Sequence, residues 1–557
     1  MLKTTKFLSA IFAFIILFSM SSCGDSAKVA GSSDISQSIP ADATAVFLMN
    51  AKQLMQKADY ATVKETDFFK DWIQEVEKQS PEMVPFLNDP EAAGISLAGN
   101  MGFYFSVPED FMNSRNIEVA FILPVADKAK MDKAVKVALK DNKEATPETK
   151  DGYTITKLNK QMSMVQSDHI LAFTTLKDET KINNLVHPSG DNIHTNASFA
   201  KHMKANKDVM FWMGVDPLVT AALNSPFTAM TIRGGLAGAQ IPEEGLKGNS
   251  MSLFYDFKQG EMEMGTAFDF NDILKEELGD LFPNKLNIDY SNYIPSDNLA
   301  AAATFGVNSA GVLNFLTKRG WDLYADSYLS KAGLDLGKIR DGITGDLAVG
   351  IYPPASQATD PGLVVAMGIK DKKFVEGLFA QAGPFLKKDG DKYTFTGGSN
   401  MMDPSAAPMQ LFAVVKDDIL VVSNSNEQLE KAQAGNSNKI VNEIQDGWMG
   451  IYMDYNLINE NYDVIANYLP IDPNSLAFSK MMNEYQNVST ATLLAKGDVI
   501  NGTTTLKNKN VNSLKSLIES FDKMYKDRAK IQEQMDQQMK DEFEGFDEEF
   551  ATEKENT

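Results

Sequence analysis

One cysteine, Cys23, is the whole thiol content of a 557-residue chain. A lone Cys forms no intramolecular disulfide, and no thiolate zinc site is built from one sulfur. Histidine is almost as scarce, with His169, His187, His194 and His202 the four present. There is no His-Glu-x-x-His, and the spacings of 7 and 8 among the last three match no common ligand pattern. They read as surface-loop residues, and no metal or other cofactor is implied. The turn Asp389-Gly390-Asp391 lacks the further ligands and distal Glu of a calcium loop. Phosphate-cradling glycine motifs are missing too. Gly234-Gly235-Leu236-Ala237-Gly238 has neither the spacing nor a following Lys, and reads as a loop. Gly94-Ile95-Ser96-Leu97-Ala98 ends in Ala where a serine-hydrolase elbow has Gly. Trp72, Trp212, Trp321 and Trp448 are not clustered as a sugar platform. Basic residues are in deficit, 53 against 75 acids, for a net charge of −22. That balance argues against nucleic acid as a partner.

After residue 20 no stretch is long and apolar enough to span a bilayer, which takes about 20 residues. The start of the chain is different. Lys3 and Lys6 precede an apolar run from Phe7 to Met20, broken only by Ser9 and Ser19. A short basic start, a short apolar run and small residues describe a secretory signal over residues 1–22. It ends Met20-Ser21-Ser22-Cys23, which resembles the lipobox of bacterial lipoproteins, with Met where Leu is usual. The resemblance implies acylation of Cys23, the lipid attachment site, and a palmitate-bearing mature N-terminus. That explains why the only thiol stands here, since a free one would be a liability in an oxidising compartment. Several acyl chains make a stable anchor where one is marginal. Residues 23–38, rich in Gly, Ser and Asp, read as the lipidated Cys and a flexible tether.

From Ile39 the chain repeats itself. "IPADATAVFLMN" from Ile39 is echoed by "IPSDNLAAAATFG" from Ile294, and "IEVAFILPVADKAKM" from Ile117 by "PGLVVAMGIKDKKF" from Pro361. Six such pairs recur in one order at offsets of 236 to 255. The expectation is an internal duplication, with Ile39 over Ile294, Tyr153 over Tyr393 and Trp212 over Trp448. Strands outnumber helices, and Asp151-Gly152 and Lys258-Gln259-Gly260 read as hairpin turns.

The fold class is therefore α+β: two tandem homologous domains, 39–290 and 291–510, each a mostly antiparallel or mixed sheet with helices on one face. Residues 511–540 follow helical spacing through Leu514, Ile518, Phe521 and Tyr525, predicting an amphipathic helix docked on the second repeat. Residues 541–557 read as an acidic disordered tail.

The order of lipobox, polar tether, and an opening Ile39-Pro40-Ala41-Asp42-Ala43 resembles a family of uncharacterised Bacteroidota lipoproteins. The resemblance implies location and fold, and it carries no catalytic residues. Expected function is a non-enzymatic binding or assembly module, lipid-anchored in the cell envelope at the outer membrane, on either its periplasmic or its surface side. Another envelope protein or a glycan is the expected partner beside the membrane itself. The alternative is a lipid-anchored hydrolase, for example on glycans, with a carboxylate site. One feature is not shared by the repeats: an insertion from Gly397 to Gln410 carrying Met401, Met402 and Met409, which reads as an adaptable apolar partner contact.

Overall fold

A computed structural model describes residues 34–529, except 80, 109–116, 141, 143–144, 189, 240, 355–360, 382, 398–409 and 463–486. The first half supplies strands β1 (Ala45–Asn50), β2 (Asn100–Ser106), β3 (Glu118–Pro124), β4 (Thr146–Lys150), β5 (Tyr153–Lys157), β6 (Ser163–Gln166), β7 (Ile170–Thr174), β8 (Val209–Gly214), β9 (Ser250–Lys258) and β10 (Glu261–Asp269). The second supplies β11 (Ala301–Gly306), β12 (Ile343–Tyr352), β13 (Gly362–Ile369), β14 (Leu386–Asp389), β15 (Lys392–Thr396), β16 (Gln410–Val415), β17 (Ile419–Ser423), β18 (Met449–Asp454), β19 (Val488–Lys496) and β20 (Val499–Leu506).

All described pairings are antiparallel. In the first half the order is β4-β5-β6-β7-β3-β2-β1-β8-β9-β10. The second half repeats it as β14-β15-β16-β17-β13-β12-β11-β18-β19-β20. The last strands of the halves, β10 and β20, then pair with each other. The expected two sheets are thus one sheet of 20 strands, with β4 and β14 at its edges.

Strands such as β1, "AVFLMN", are apolar at successive positions, which suits burial on both faces. Val46 and Leu48 point one way, into a cluster with Ile35, Ile39, Ile182, Leu185 and Phe199. Met49 points the other way, into a cluster with Leu54, Met55, Phe68, Phe69 and Met131. Helices therefore cover both faces, not one as expected, because the run leaves no polar face to solvate. The turn Ile35–Ser38 belongs to this packing, with Ile35 and Ser36 fully buried. The folded chain starts before Ile39, and the expected tether is shorter than drawn.

Each half turns from its first strand into a helix through an Asn cap. Asn50 accepts from the Gln53 amide, and Asn308 from the amides of Ala310 and Gly311. The hairpin turns also stand as expected: Asp151 and Gly152 both take positive φ, 36° and 86°. Of the three anticipated equivalences, only Ile39 and Ile294 sit alike, each 1% exposed in the same face's core. Trp212 pairs with Val46, and its positional counterpart is Tyr452, which pairs with Ala302. Trp448 lies four residues earlier, beyond the strand. Tyr153 packs on one face and Tyr393 on the other. The turn before Tyr393 is Gly390-Asp391, so the strand opens at Lys392, and a one-residue slip reverses every side chain.

The amphipathic helix is Ser513–Lys526, and it docks on the first half instead of the second. Leu514 and Ile518 enter the core with Leu54 and Phe68, and Phe521 meets Phe68 edge-on at 5.1 Å. Asp522 accepts from the amides of Asp67 and Phe68 at 2.6 and 3.3 Å, capping the helix Asp67–Gln79 from 455 and 454 residues away. Lys515 Nζ reaches Asp59 at 2.6 Å. Gly260 lets this connection pass: a Cβ there would meet the Lys509 backbone at 2.7 Å. We expect Asp522→Ala to cost about 1–2 kcal/mol, the usual worth of an N-cap, in urea unfolding. An unchanged midpoint would show that apolar contact alone seats the helix.

Candidate functional site

Two groupings of Ser, His and Asp form in the fold. In the first, the helix Ala197–Met203 brings Ser198 and His202 over the end of β10. Ser198 Oγ donates to Asp269 Oδ2 at 2.6 Å, and His202 Nε2 bonds the same oxygen at 2.6 Å. Lys201 Nζ donates to Oδ1 at 2.7 Å, and Trp212 Nε1 donates to Ser198 Oγ at 3.2 Å. A hydrolytic triad needs imidazole between hydroxyl and carboxylate, so that it can take the serine proton. Here the carboxylate stands between. Burial would raise Asp269, but the bonds from Lys201, Ser198 and His202 outweigh it and hold the carboxyl at about 2. So acidic a group is a poor general base at neutral pH.

In the second grouping, His194 Nε2 lies 2.6 Å from Ser36 Oγ and 3.7 Å from Asp34 Oδ2. One nitrogen faces both partners, and Ser36 is fully buried. Neither grouping is arranged as a triad. His194 and His202 are structural members of a turn and a helix, not the loop residues expected. Among the described residues no group of three His, Cys, Asp or Glu could hold a metal ion.

A third polar cluster lies where β8, β9 and β10 meet the helix Ala51–Ala58. Lys57 Nζ contacts Asp208 at 2.7 Å and Asp256 at 2.8 Å. Asp208 is fully buried and also accepts from the Phe257 amide at 2.6 Å. Burial pushes the Asp208 carboxyl up. Asp256 feels burial too, but Lys57 and Lys207 hold it down. Lys207 continues the network to Glu263 at 3.3 Å. Every charge is answered from within, so the cluster fastens a helix to the sheet.

A shallow groove of about 720 Å³ runs between the helices Asp216–Leu223 and Pro226–Ala239, past Leu223, Met230 and Arg233. The glycine run from Gly234 falls inside the second helix, not in a loop. A Cβ on Gly234 or Gly235 would meet nothing within 4 Å, so no close approach requires these glycines. Arg233 is engaged with Glu243 at 3.0 Å.

Some large apolar side chains among the described residues are exposed. In the first half the helix-covered row Met49, Met101, Leu123 and Leu171 is buried. In the corresponding row of the second half Phe305, Leu347 and Met367 are half-buried, and Leu420, the counterpart of Leu171, is buried. The next row is half-buried in both halves, at Val349 and Ile451 in one and Phe47 and Phe211 in the other. Leu363 and Met453, in one row with Ile351 and Ala301, are 37% and 38% exposed. The opposite face of the same strands is sealed, with Ala348, Val364 and Ala366 at 0%. On the same side, the helix Asp322–Leu329 exposes Leu323, Tyr324 and Tyr328 at 75%, 75% and 76%, and Trp321 precedes it. Sequence reasoning passed over this surface; the run Trp321 to Tyr328, with three rings and no partner stripe, was its signal.

Of the residues singled out from sequence, Cys23, Met401, Met402 and Met409 lie outside the described residues. No described helix is long and apolar enough to cross a membrane.

A family model described as a domain of unknown function (DUF4836) matches residues 36–447. No curated protein matches the chain. Among solved structures, crystal forms I and III of TP0453 align with 8% and 10% identity, over 46% and 45% of this chain and 90% and 89% of theirs. Their TM-scores are 0.25 and 0.26, a level that carries no argument.

Two measurements probe these clusters. Asp269 titrates near 2 when folded and near 3.8 when unfolded, so its stabilisation is complete above about pH 4 and disappears as pH falls through 2. Asp269→Asn should flatten that acid limb of the stability curve by about 1–2 kcal/mol, solvent screening included. Lys57→Met strands Asp208 without a counter-charge, and should cost about 3–5 kcal/mol by chemical denaturation. A loss below 1 kcal/mol would mean that Asp208 simply takes up a proton.

Proposed function

For a chain that belongs to the DUF4836 family, a domain of unknown function, we propose a lipid-anchored, non-enzymatic binding module of the cell envelope. The observation that carries the binding role is the group of large apolar side chains left exposed on the helix Asp322–Leu329, with Leu323, Tyr324 and Tyr328 each about three-quarters exposed. Exposed large apolar side chains grouped in this way mark interaction sites. The polar clusters weigh the same way, since their side chains are satisfied by one another. The carboxylates Asp208 and Asp256 share Lys57 and Asp208 is fully buried, which leaves the hydrolase alternative no accessible pair in that cluster.

Anchorage rests on the sequence: the apolar run, the small residues and Cys23. The family match from residue 36 agrees with a folded unit that begins just past a short tether. We take the two halves as products of a duplication, supported by their common strand order. The insertion around Met401, Met402 and Met409 remains our proposed second contact, to an envelope protein or a glycan.

Labelled palmitate should enter the wild-type protein and be absent from Cys23→Ala, which should leave the membrane fraction or accumulate as precursor. Acylation and processing of Cys23→Ala would overturn the anchor.

A further inference from the structure

We infer that the lysine face of the helix Lys128–Ala138 docks on the anionic headgroups of a phospholipid bilayer. This deepens the anchored-module reading and rests on it, because the anchor is what brings a bilayer within reach.

A basic surface is the exception in a chain with 53 basic and 75 acidic residues. Yet the segment KAKMDKAVKVALK, residues 128–140, holds Lys128, Lys130, Lys133, Lys136 and Lys140 against one acid, Asp132. That acid is engaged locally: Lys128 Nζ donates to it at 3.0 Å and Gln166 Nε2 at 2.6 Å. The other four lysines are exposed. None of them has an ion pair or a side-chain hydrogen bond among the described residues.

Helix geometry gathers them. Asp127 caps the helix through the Lys130 amide, and Met131 and Ala134 are its buried side chains. At about 100° per residue, Lys133 and Lys136 stand roughly 130° and 170° from the middle of that buried pair, with Lys130 at the flank. The helix in the same place in the second half, Lys372–Gln381, has lysines only at its start and Glu376 in its middle. The stripe therefore belongs to one half and is not required by the strand layout.

The chemistry of the stripe selects its partner. It contains no Arg, whose planar fork fits a single phosphate bidentately, whereas lysines act as separate, hydrated point charges. A row of them suits a layer of anions, as polybasic segments suit acidic membranes. Among the described residues no large apolar side chain between Ile117 and Leu218 is exposed. A protein interface is built around aromatic or Met anchors and is poor in Lys. A headgroup layer needs no such anchor. The rest of the chain is more acidic still and is repelled by the same layer, so one face turns to the bilayer.

Reach is sufficient. Ile35 and Met131 pack on opposite faces of the sheet. The ten residues 24–33 that precede Asp34 span at most about 33–36 Å, and the layers to be passed are about 10 Å apart.

The test couples residues 23–557 through Cys23, the only thiol, to a maleimide lipid in vesicles of phosphatidylcholine with or without phosphatidylglycerol. Acetylation by a limiting amine-reactive reagent is then read residue by residue by mass spectrometry. With phosphatidylglycerol present, Lys133 and Lys136 should react severalfold more slowly, and Lys373 should be unchanged. The protection should vanish in about 1 M salt, where charges are screened within about 3 Å. In Lys133→Glu with Lys136→Glu, protection of Lys130 and Lys140 should be lost. Both substitutions are at exposed positions, so folding should survive, as circular dichroism and melting temperature will show. Equal reactivity on the two kinds of vesicle overturns the inference, as does protection that persists in high salt. Protection by soluble polygalacturonate but not by phosphatidylglycerol assigns the stripe to a glycan, and also overturns it. So does a dimer, seen by sedimentation, that the double variant dissociates. The coupling is chemical and does not require acylation in the cell. Failure here with Cys23-dependent palmitate labelling intact removes the contact alone. Loss of labelling with lysine protection intact removes the anchor alone.

Discussion

The pairing of β10 with β20 joins Glu261 through Ala267 to Thr505 through Val499, and most of the architecture follows from it. Without it each half would end in a two-stranded hairpin with a bare outer edge, a template for stray strand pairing. With it, 20 strands share two edges. Both are guarded: β4 carries Pro147, Glu148 and Lys150, and β14 carries Lys387, Lys388 and Asp389. The seam also brings each half's closing segment over its neighbour. The helix Ser513–Lys526 reaches Asp59, and the helix Asp272–Leu278 reaches Arg319 and Lys318 through Glu277. These contacts are reciprocal in place and reversed in charge.

Reciprocity of position does not bring equality of burial. Ser513–Lys526 has 14 residues and seats Leu514 and Ile518 in a core. Asp272–Leu278 has 7 and buries none. The difference lies in how each closing helix is seated, since Phe47, Phe103 and Phe211 of the first half and Ala303, Val349 and Ile451 of the second are alike half-buried.

Much of the strand layout was legible in the sequence because it is local. Apolar runs marked β1, β3, β11 and β13, and Asp151-Gly152 announced its hairpin. What escaped is what locality does not encode. Matching Trp212 with Trp448 is a four-residue slip, and a strand repeats its facing every two residues, so the wrong register looks as apolar as the right one. Tyr393 changed faces through the single residue by which its turn differs. Gly234 and Gly235 sit inside a helix despite their propensity, an exposed one that does not need their freedom. The destination of the final helix was unreadable, since its partners Asp59, Asp67 and Phe68 lie more than 450 residues away in the chain. The exposure of Tyr324 and Tyr328 was hidden for a related reason: it is decided by what fails to cover a helix, not by the helix.

The seam and the distant cap also impose an order in time. Synthesis delivers β10 long before β20, and Phe68 long before Asp522. At about 5–20 residues per second, the interval between Asp269 and Val499 lasts roughly 10–50 s. Throughout it the first half holds an unpaired strand and an unfilled seat for Leu514 and Ile518. The nascent chain is therefore incomplete in its first half until Val499 and the helix Ser513–Lys526 emerge, an order-of-magnitude delay set by chain growth. Long-range closure of this kind also slows folding itself, because the loop must be closed before the contact repays it. A truncation near the C-terminus would damage the part of the molecule made first.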